Sequence, residues 1–166
     1  MGSRIEHRAE FSGDVADVLA AVAGEDALAA RLERLGGDGA ALLKYSWSDD
    51  DEIFVELRQG ISAERLPQAV RALHKGDLVV HRTQTWRPEG EGYTGEATVE
   101  VGGVPGEITA RTSLTADGDR VVLATHGEVT VRIPLFGGKL ETVIAEQVTK
   151  LLEREGEFTA KWLADH

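Results

Sequence analysis

The C-terminal segment constrains this chain most. In "RIPLFGGKLETVIAEQV" (132–148) a strand-like run stops at Pro134, two glycines follow, and a helical pattern begins that continues almost to the last residue. The spacing predicts a helix over 138–164, about 27 residues and on the order of 40 Å long at ~1.5 Å per residue. Leu140, Ile144, Val148, Leu151, Phe158 and Trp162 recur three and four apart, with a gap at Glu155, and make one apolar stripe. A stripe of that length needs a broad apolar surface to lie against. A sheet of six to seven strands curled around the helix supplies one; the alternative is a helix laid flat on a sheet over a solid core. Pro134 has no N–H for a ladder and ends the strand. Gly137-Gly138 lets the chain turn without Cβ clashes.

Upstream, "RIEHRAEF" (4–11) alternates, with Ile5, His7, Ala9 and Phe11 on one face and charged residues on the other, as a half-buried strand does. Ser12-Gly13-Asp14 breaks it and offers an N-cap. Val15, Val18, Leu19 and Val22 then read as a short helix, and "EDALAARLERLG" as a second one stopped by Gly36. A hairpin follows, 41–48 and 52–59 around Asp49-Asp50-Asp51. Residues 62–76 read as a short helix or turn-rich insertion. Strand-like runs at 77–87, 92–101, 106–116 and 120–133 are separated by glycine-bearing turns, the spacing of an antiparallel meander. Strands grouped together, not alternating with helices, predict an α+β fold with an antiparallel sheet.

The 166 residues fit a single domain, taken as 4–164, with Met1-Gly2-Ser3 read as the remnant of an expression tag. There is no cysteine, which removes disulfides, thiolate catalysis and Cys-based metal sites, and agrees with a reducing cytoplasm. The net charge of -11 repels phosphate backbones and anionic lipid surfaces, so neither nucleic acid nor a membrane is expected as a partner. No apolar run is long enough to span a bilayer, and "MGSRIEHRAEF" lacks the apolar core of a signal peptide. A cytoplasmic location is the expectation. His74, His81 and His126 have no metal-binding spacing, and no P-loop, G-x-S-x-G or G-x-G-x-x-G is present, so neither a metal nor a cofactor is expected. The run Asp49-Asp50-Asp51-Glu52 lacks calcium-loop spacing and reads as a solvated turn. "GGVPGE" (102–107) is a hairpin turn with no helix after it, not a phosphate cradle.

The element order, together with "GDLVVHRTQTWRP" (76–88), "VRIPLFGGKLETVIAEQV" (131–148) and "EGEFTAKWL" (155–163), resembles the START-like (polyketide cyclase/Bet v 1-like) helix-grip superfamily. Within it, the three stretches are similar to a bacterial family known only as a domain of unknown function. The resemblance covers roughly Arg4 to Leu163. It implies a curved antiparallel sheet wrapped around the C-terminal helix, two short helices after strand 1, and a cavity between sheet and helix. It supplies no catalytic residue. The function it implies is binding of an apolar small molecule or lipid. A cyclase- or hydrolase-like enzyme and a ligand-free interaction scaffold are the alternatives.

Alternation places Leu43, Tyr45 and Trp47, then Ile53, Val55 and Leu57, on the inward face. Tyr93, Gly95, Ala97, Val99 and Val101 follow, with Ile108, Ala110, Thr112 and Leu114, and the odd residues from Val121 to Ile133. Small inward residues such as Gly95, Ala97, Ala110 and Gly127 either leave a void or admit a large neighbour such as Trp162. Strand 77–87 can face either way: Arg82 and Gln84 point inward with Leu78, Val80 and Trp86, or Thr83 and Thr85 do so with Val79 and His81. His7 is either a pocket group or a hydrogen-bonded core histidine. Glu155 either faces the cavity, beside Gln147, Leu151 and Phe158, or reaches solvent where the helix emerges, with Gly156 kinking or fraying it. Leu135 and Phe136 either plug the end of the sheet or present an apolar patch to a partner.

Overall fold

Residue alternation of period two builds seven strands. In the computed structural model, which describes residues 2–65, 68–71, 76–135 and 137–166, they are β1 (Ser3–Ser12), β2 (Ala41–Trp47), β3 (Ile53–Ile61), β4 (Leu78–Glu89), β5 (Gly92–Val101), β6 (Gly106–Asp117) and β7 (Arg120–Val131). All neighbours are antiparallel in the order β1-β7-β6-β5-β4-β3-β2, so the curved sheet is open, with β1 and β2 at its edges. Between those edges run helices α1 (Val15–Ala23) and α2 (Glu25–Leu35). Asp14 caps α1 by accepting the Asp17 N–H at 2.8 Å. A 3-10 turn (Ala63–Arg65) and the one-turn helix α3 (Gln68–Arg71) fall within 62–76; His74 lies outside the described residues.

The long helix α4 (Gly137–Asp165) packs mainly on β1 and β7, and α1 and α2 close over it. It runs unbroken past Gly156, so the kink or fray allowed there does not occur. Its entry differs from the expectation. β7 ends at Val131, before Pro134, and helix geometry starts at Gly137. The sharp turn is taken by Leu135, which is left-handed (φ 72°) and 99% exposed, so it plugs nothing. Phe136 lies outside the described residues. Gly137 serves close approach: a Cβ there would stand 2.6 Å from the Val131 carbonyl oxygen.

The inward rows follow the expected alternation, with one correction. A bulge between Leu42 and Lys44 turns Leu43 out to solvent and puts Leu42 on the inner face. β4 is settled by register: Arg82 pairs with Leu57 and Val99, and Gln84 with Val55 and Ala97, so Leu78, Val80, Arg82, Gln84 and Trp86 face inward. Gly95 is small because the Trp86 indole lies on it, 2.9 Å from where a Cβ would be; the large neighbour is not Trp162.

The helix is rotated relative to the predicted stripe. Its most buried positions are Leu140, Glu141, Ala145, Glu155 and Thr159, whereas Ile144, Val148, Leu151, Phe158 and Trp162 are half-buried. The Glu141 carboxylate, fully covered, accepts the Val131 N–H at 2.8 Å and fastens the start of α4 to the end of β7. Glu141→Ala strands that buried N–H and is expected to lower stability by about 1–3 kcal/mol. The drop in melting temperature checks it; Glu141→Gln keeps an acceptor and retains most of the stability.

Candidate functional site

The core is divided. One apolar cluster gathers Phe11, Val18, Leu19, Leu28, Ile53, Val55, Leu57, Trp86, Leu114 and Val121 at the end covered by α1 and α2. A second gathers Ile5, Leu78, Ile108, Val129, Val131, Leu140 and Ala145 at the other end. Between them the inward positions change character on strand after strand. They are His7 on β1, Thr125 and Gly127 on β7, Thr112 and Ala110 on β6, Gly95 and Ala97 on β5, and Gln84 and Arg82 on β4. Opposite this belt α4 presents Glu155 and Thr159, and α2 presents Arg31. The periodicity of each element is responsible: polar or small residues occupy the one or two inward slots that fall at mid-sheet.

At the centre is a buried ion cluster. Arg82 Nη1 donates to Glu155 Oε2 at 2.9 Å and Nη2 to Oε1 at 3.2 Å, a fork-to-fork pair crossing from sheet to helix. Arg31 Nε stands 3.8 Å from Glu155 Oε2, within reach of its charge but beyond a hydrogen bond. Glu155 is 6% exposed and Arg31 5%, which closes the reading of Glu155 as a solvent-facing residue. Burial alone would raise the Glu155 pKa. The charges of Arg31 and Arg82, the Arg82 hydrogen bonds and, last, His7 outweigh it and bring the group from its ordinary 4.5 to about 2. Burial likewise opposes the charge on Arg82, but Glu155 more than offsets it and its pKa is raised. For Arg31 burial dominates and the pKa is lowered despite Glu155, with Arg82 adding to the fall.

Around this cluster the Thr112 and Thr125 hydroxyls are 3.2 Å apart, and Thr159 donates to the Glu155 carbonyl at 2.9 Å. His7 meets α4 at Gly156, whose Cβ position is 3.9 Å from His7 Nε2. His7 Nε2, Arg31 Nε and Nη2, and Trp86 Nε1 are buried with no hydrogen-bond partner among the described residues.

Of the residues singled out in the sequence, His7, Arg82, Gln84, Ala97, Ala110, Thr112 and Glu155 lie on the belt. Val55 and Leu57 are solid packing in the first cluster, which Tyr93 flanks. Tyr45 is committed elsewhere, its hydroxyl donating to the Ala23 carbonyl at 2.7 Å. Trp47 is on the surface, 43% exposed, because it sits on the edge strand beside the acidic turn, where its indole N–H reaches Asp51 at 3.3 Å. Gln147 is exposed, since the buried face of α4 passes through Ala145. Leu151 and Phe158 are half-buried on the flank of α4, where Phe158 stacks on Trp162 at 6.2 Å. Arg31 is the residue the sequence reading missed. Its signal is its position, four after Ala27 and three after Leu28, which puts a guanidinium on the apolar face of α2.

Two open depressions, about 340 and 690 Å³, lie on the outer face of the sheet. The larger is lined by outward residues such as Arg4, Glu6, Arg111 and His126. Asp49, Asp50, Asp51 and Glu52 are all exposed, as a solvated turn requires. No helix among the described residues is long and apolar enough to cross a membrane.

An open antiparallel sheet gripping a long C-terminal helix, with two short helices between its edge strands, is the helix-grip fold. A START superfamily protein from Mycobacterium smegmatis superposes with a TM-score of 0.56 at 12% identity, over 98% of this chain and 97% of that one. Norcoclaurine synthase from Thalictrum flavum, in complex with dopamine and hydroxybenzaldehyde, gives 0.58 at 14% identity, over 100% of this chain and 88% of that one. The chain belongs to the family described as protein of unknown function (DUF2505), which matches residues 6–163. The uncharacterized protein Rv0481c of Mycobacterium tuberculosis is 32% identical over 168 aligned positions, covering 96% of this chain and 89% of that protein.

Two outcomes follow from the cluster. A carboxylate whose pKa is depressed in the fold stabilises it fully above its unfolded value, and that contribution fades as pH falls from about 4.5 toward 2. Urea unfolding across that window is expected to show stability falling, with a shallower slope in Glu155→Gln. At neutral pH, Arg82→Met removes both hydrogen bonds from a buried carboxylate and is expected to cost about 3 kcal/mol in the same assay.

Proposed function

We propose that this protein is a cytoplasmic carrier or sensor that holds a small, largely apolar molecule between the concave sheet and α4. The observation that carries the reading is the divided core. Two apolar clusters separated by small residues and a few placed polar groups are the lining that ligand sites show. A core serving stability alone gains nothing from a buried ion cluster, since apolar residues of similar volume are often neutral or stabilising there. The fold also holds small molecules in a structural neighbour, the norcoclaurine synthase complex.

The chemistry of the cluster favours binding over turnover. A general acid or base works best with a pKa near the working pH. Glu155 is held near 2 by two arginines and has both oxygens engaged by Arg82, so it has no proton to give and little appetite for one.

Native mass spectrometry of the protein purified from the cells that make it tests this reading. The expected result is a population heavier than the 17.9 kDa chain, its extra mass released on denaturation. A protein that carries nothing, and whose melting temperature no apolar compound raises, would remove the carrier reading.

A further inference from the structure

We propose that the belt takes the carboxylate of an apolar acid, with Arg31 as its principal partner. This inference rests on the binding reading above and names the chemical class of the ligand.

Two guanidinium groups, Arg31 and Arg82, share one carboxylate, Glu155, so the buried cluster carries one uncompensated positive charge (two minus one). Both oxygens of Glu155 are taken by Arg82. Arg31 feels the Glu155 charge at 3.8 Å, but its buried Nε and Nη2 have no hydrogen-bond partner among the described residues. These are neighbouring N–H donors on one guanidinium, the fork geometry that a carboxylate accepts with its two oxygens. An uncompensated buried charge is costly, and a bound monoanion removes that cost. A dianion such as a phosphate monoester overshoots it, and a neutral polar head leaves it in place.

The surroundings fit the rest of such a molecule. Two further buried atoms lack a hydrogen-bond partner among the described residues, His7 Nε2 on the belt and Trp86 Nε1 at its border with the first apolar cluster. Trp86 and His7 stand on one row across the sheet, through Thr125, Thr112 and Gly95. On either side of the belt lie the two apolar clusters, so an apolar tail leaving the carboxylate is directed toward hydrocarbon side chains. The positive charge is local to the belt: the whole chain carries -11, so the residues outside the cluster sum to -12.

Paired ligands isolate the charge. Straight-chain alkanoates and the matching alkanols, from hexanoate to hexadecanoate, are titrated into the wild-type protein by calorimetry, with Arg31→Met and Arg31→Lys alongside. A charge-assisted contact predicts that the acid of the best-fitting length binds roughly ten- to a hundredfold more tightly than its alcohol. That preference is lost in Arg31→Met and largely kept in Arg31→Lys. Arg31→Met is also expected to melt no lower than wild type, because it leaves Arg82 and Glu155 as a neutral pair; a purely structural Arg31 would show a clear loss. Acid and alcohol binding alike would overturn the carboxylate inference and leave the binding reading standing. Neither series binding at any length would overturn both. Should Arg31→Met not fold, the wild-type complex with an alkanoate isotope-labelled at its carboxyl carbon decides by NMR. A bound carboxyl that stays ionised well below its pH range in water supports the arginine contact, and one that titrates as in water overturns it.

Discussion

A helix delivers Glu155 to the middle of the molecule, and much of the architecture answers the presence of that charge. An isolated carboxylate in an apolar core would neutralise itself or leave. Here it keeps its charge because Arg82 reaches it from the sheet with two hydrogen bonds and Arg31 approaches from α2. The cluster ties three elements that no local sequence relation joins: residue 82 of β4, residue 155 of α4 and residue 31 of α2. It also fixes the roll of α4. The helix could have laid its apolar stripe squarely on the sheet. Instead Glu155 and Thr159 face inward and the larger apolar residues ride on the flanks.

The consequence is a core with two hydrocarbon ends and a polar waist. Close packing is the rule for protein interiors, and each cluster obeys it: Leu57, Leu114, Val121 and Val129 are essentially inaccessible. The waist departs from it. Gly95 gives way to one indole, while Ala97, Ala110 and Gly127 keep the neighbouring row thin beside the charged groups. Hydrocarbon packing and buried polar contacts thus occupy different layers of the same sheet.

How much of this was legible in the chain depends on the range of the interaction. The strands, the antiparallel order and the length of α4 follow from periodicity and turn residues, which are local. So does the inward assignment of His7, Thr112 and most of their neighbours. β4 was ambiguous because both of its faces are mixed, and only pairing with β3 and β5 orients Arg82. Leu43 misled because a bulge adds a residue and inverts the alternation at one point. Glu155 was visible as a break in an apolar stripe, yet a break reads equally well as a helix leaving the core; the arginines that decide the matter lie 73 and 124 positions away (155 less 82 and 155 less 31). Arg31 carried a signal, a cation on an apolar helix face, that becomes meaningful only once its acidic partner is known. At the entrance to α4 the glycine pair suggested the turn, but the strained backbone falls on Leu135.

The bulge that turned Leu43 outward also bears on how this protein behaves in a crowded solution. Because the sheet is open, β2 ends in a row of backbone donors and acceptors available to any passing strand, a common route to self-association. The irregularity between Leu42 and Lys44 interrupts that row, and the exposed Lys44 ammonium and the acidic turn beyond Trp47 flank what remains. A break in strand geometry that cost the sheet one regular pairing therefore keeps its free edge from serving as a template for other chains.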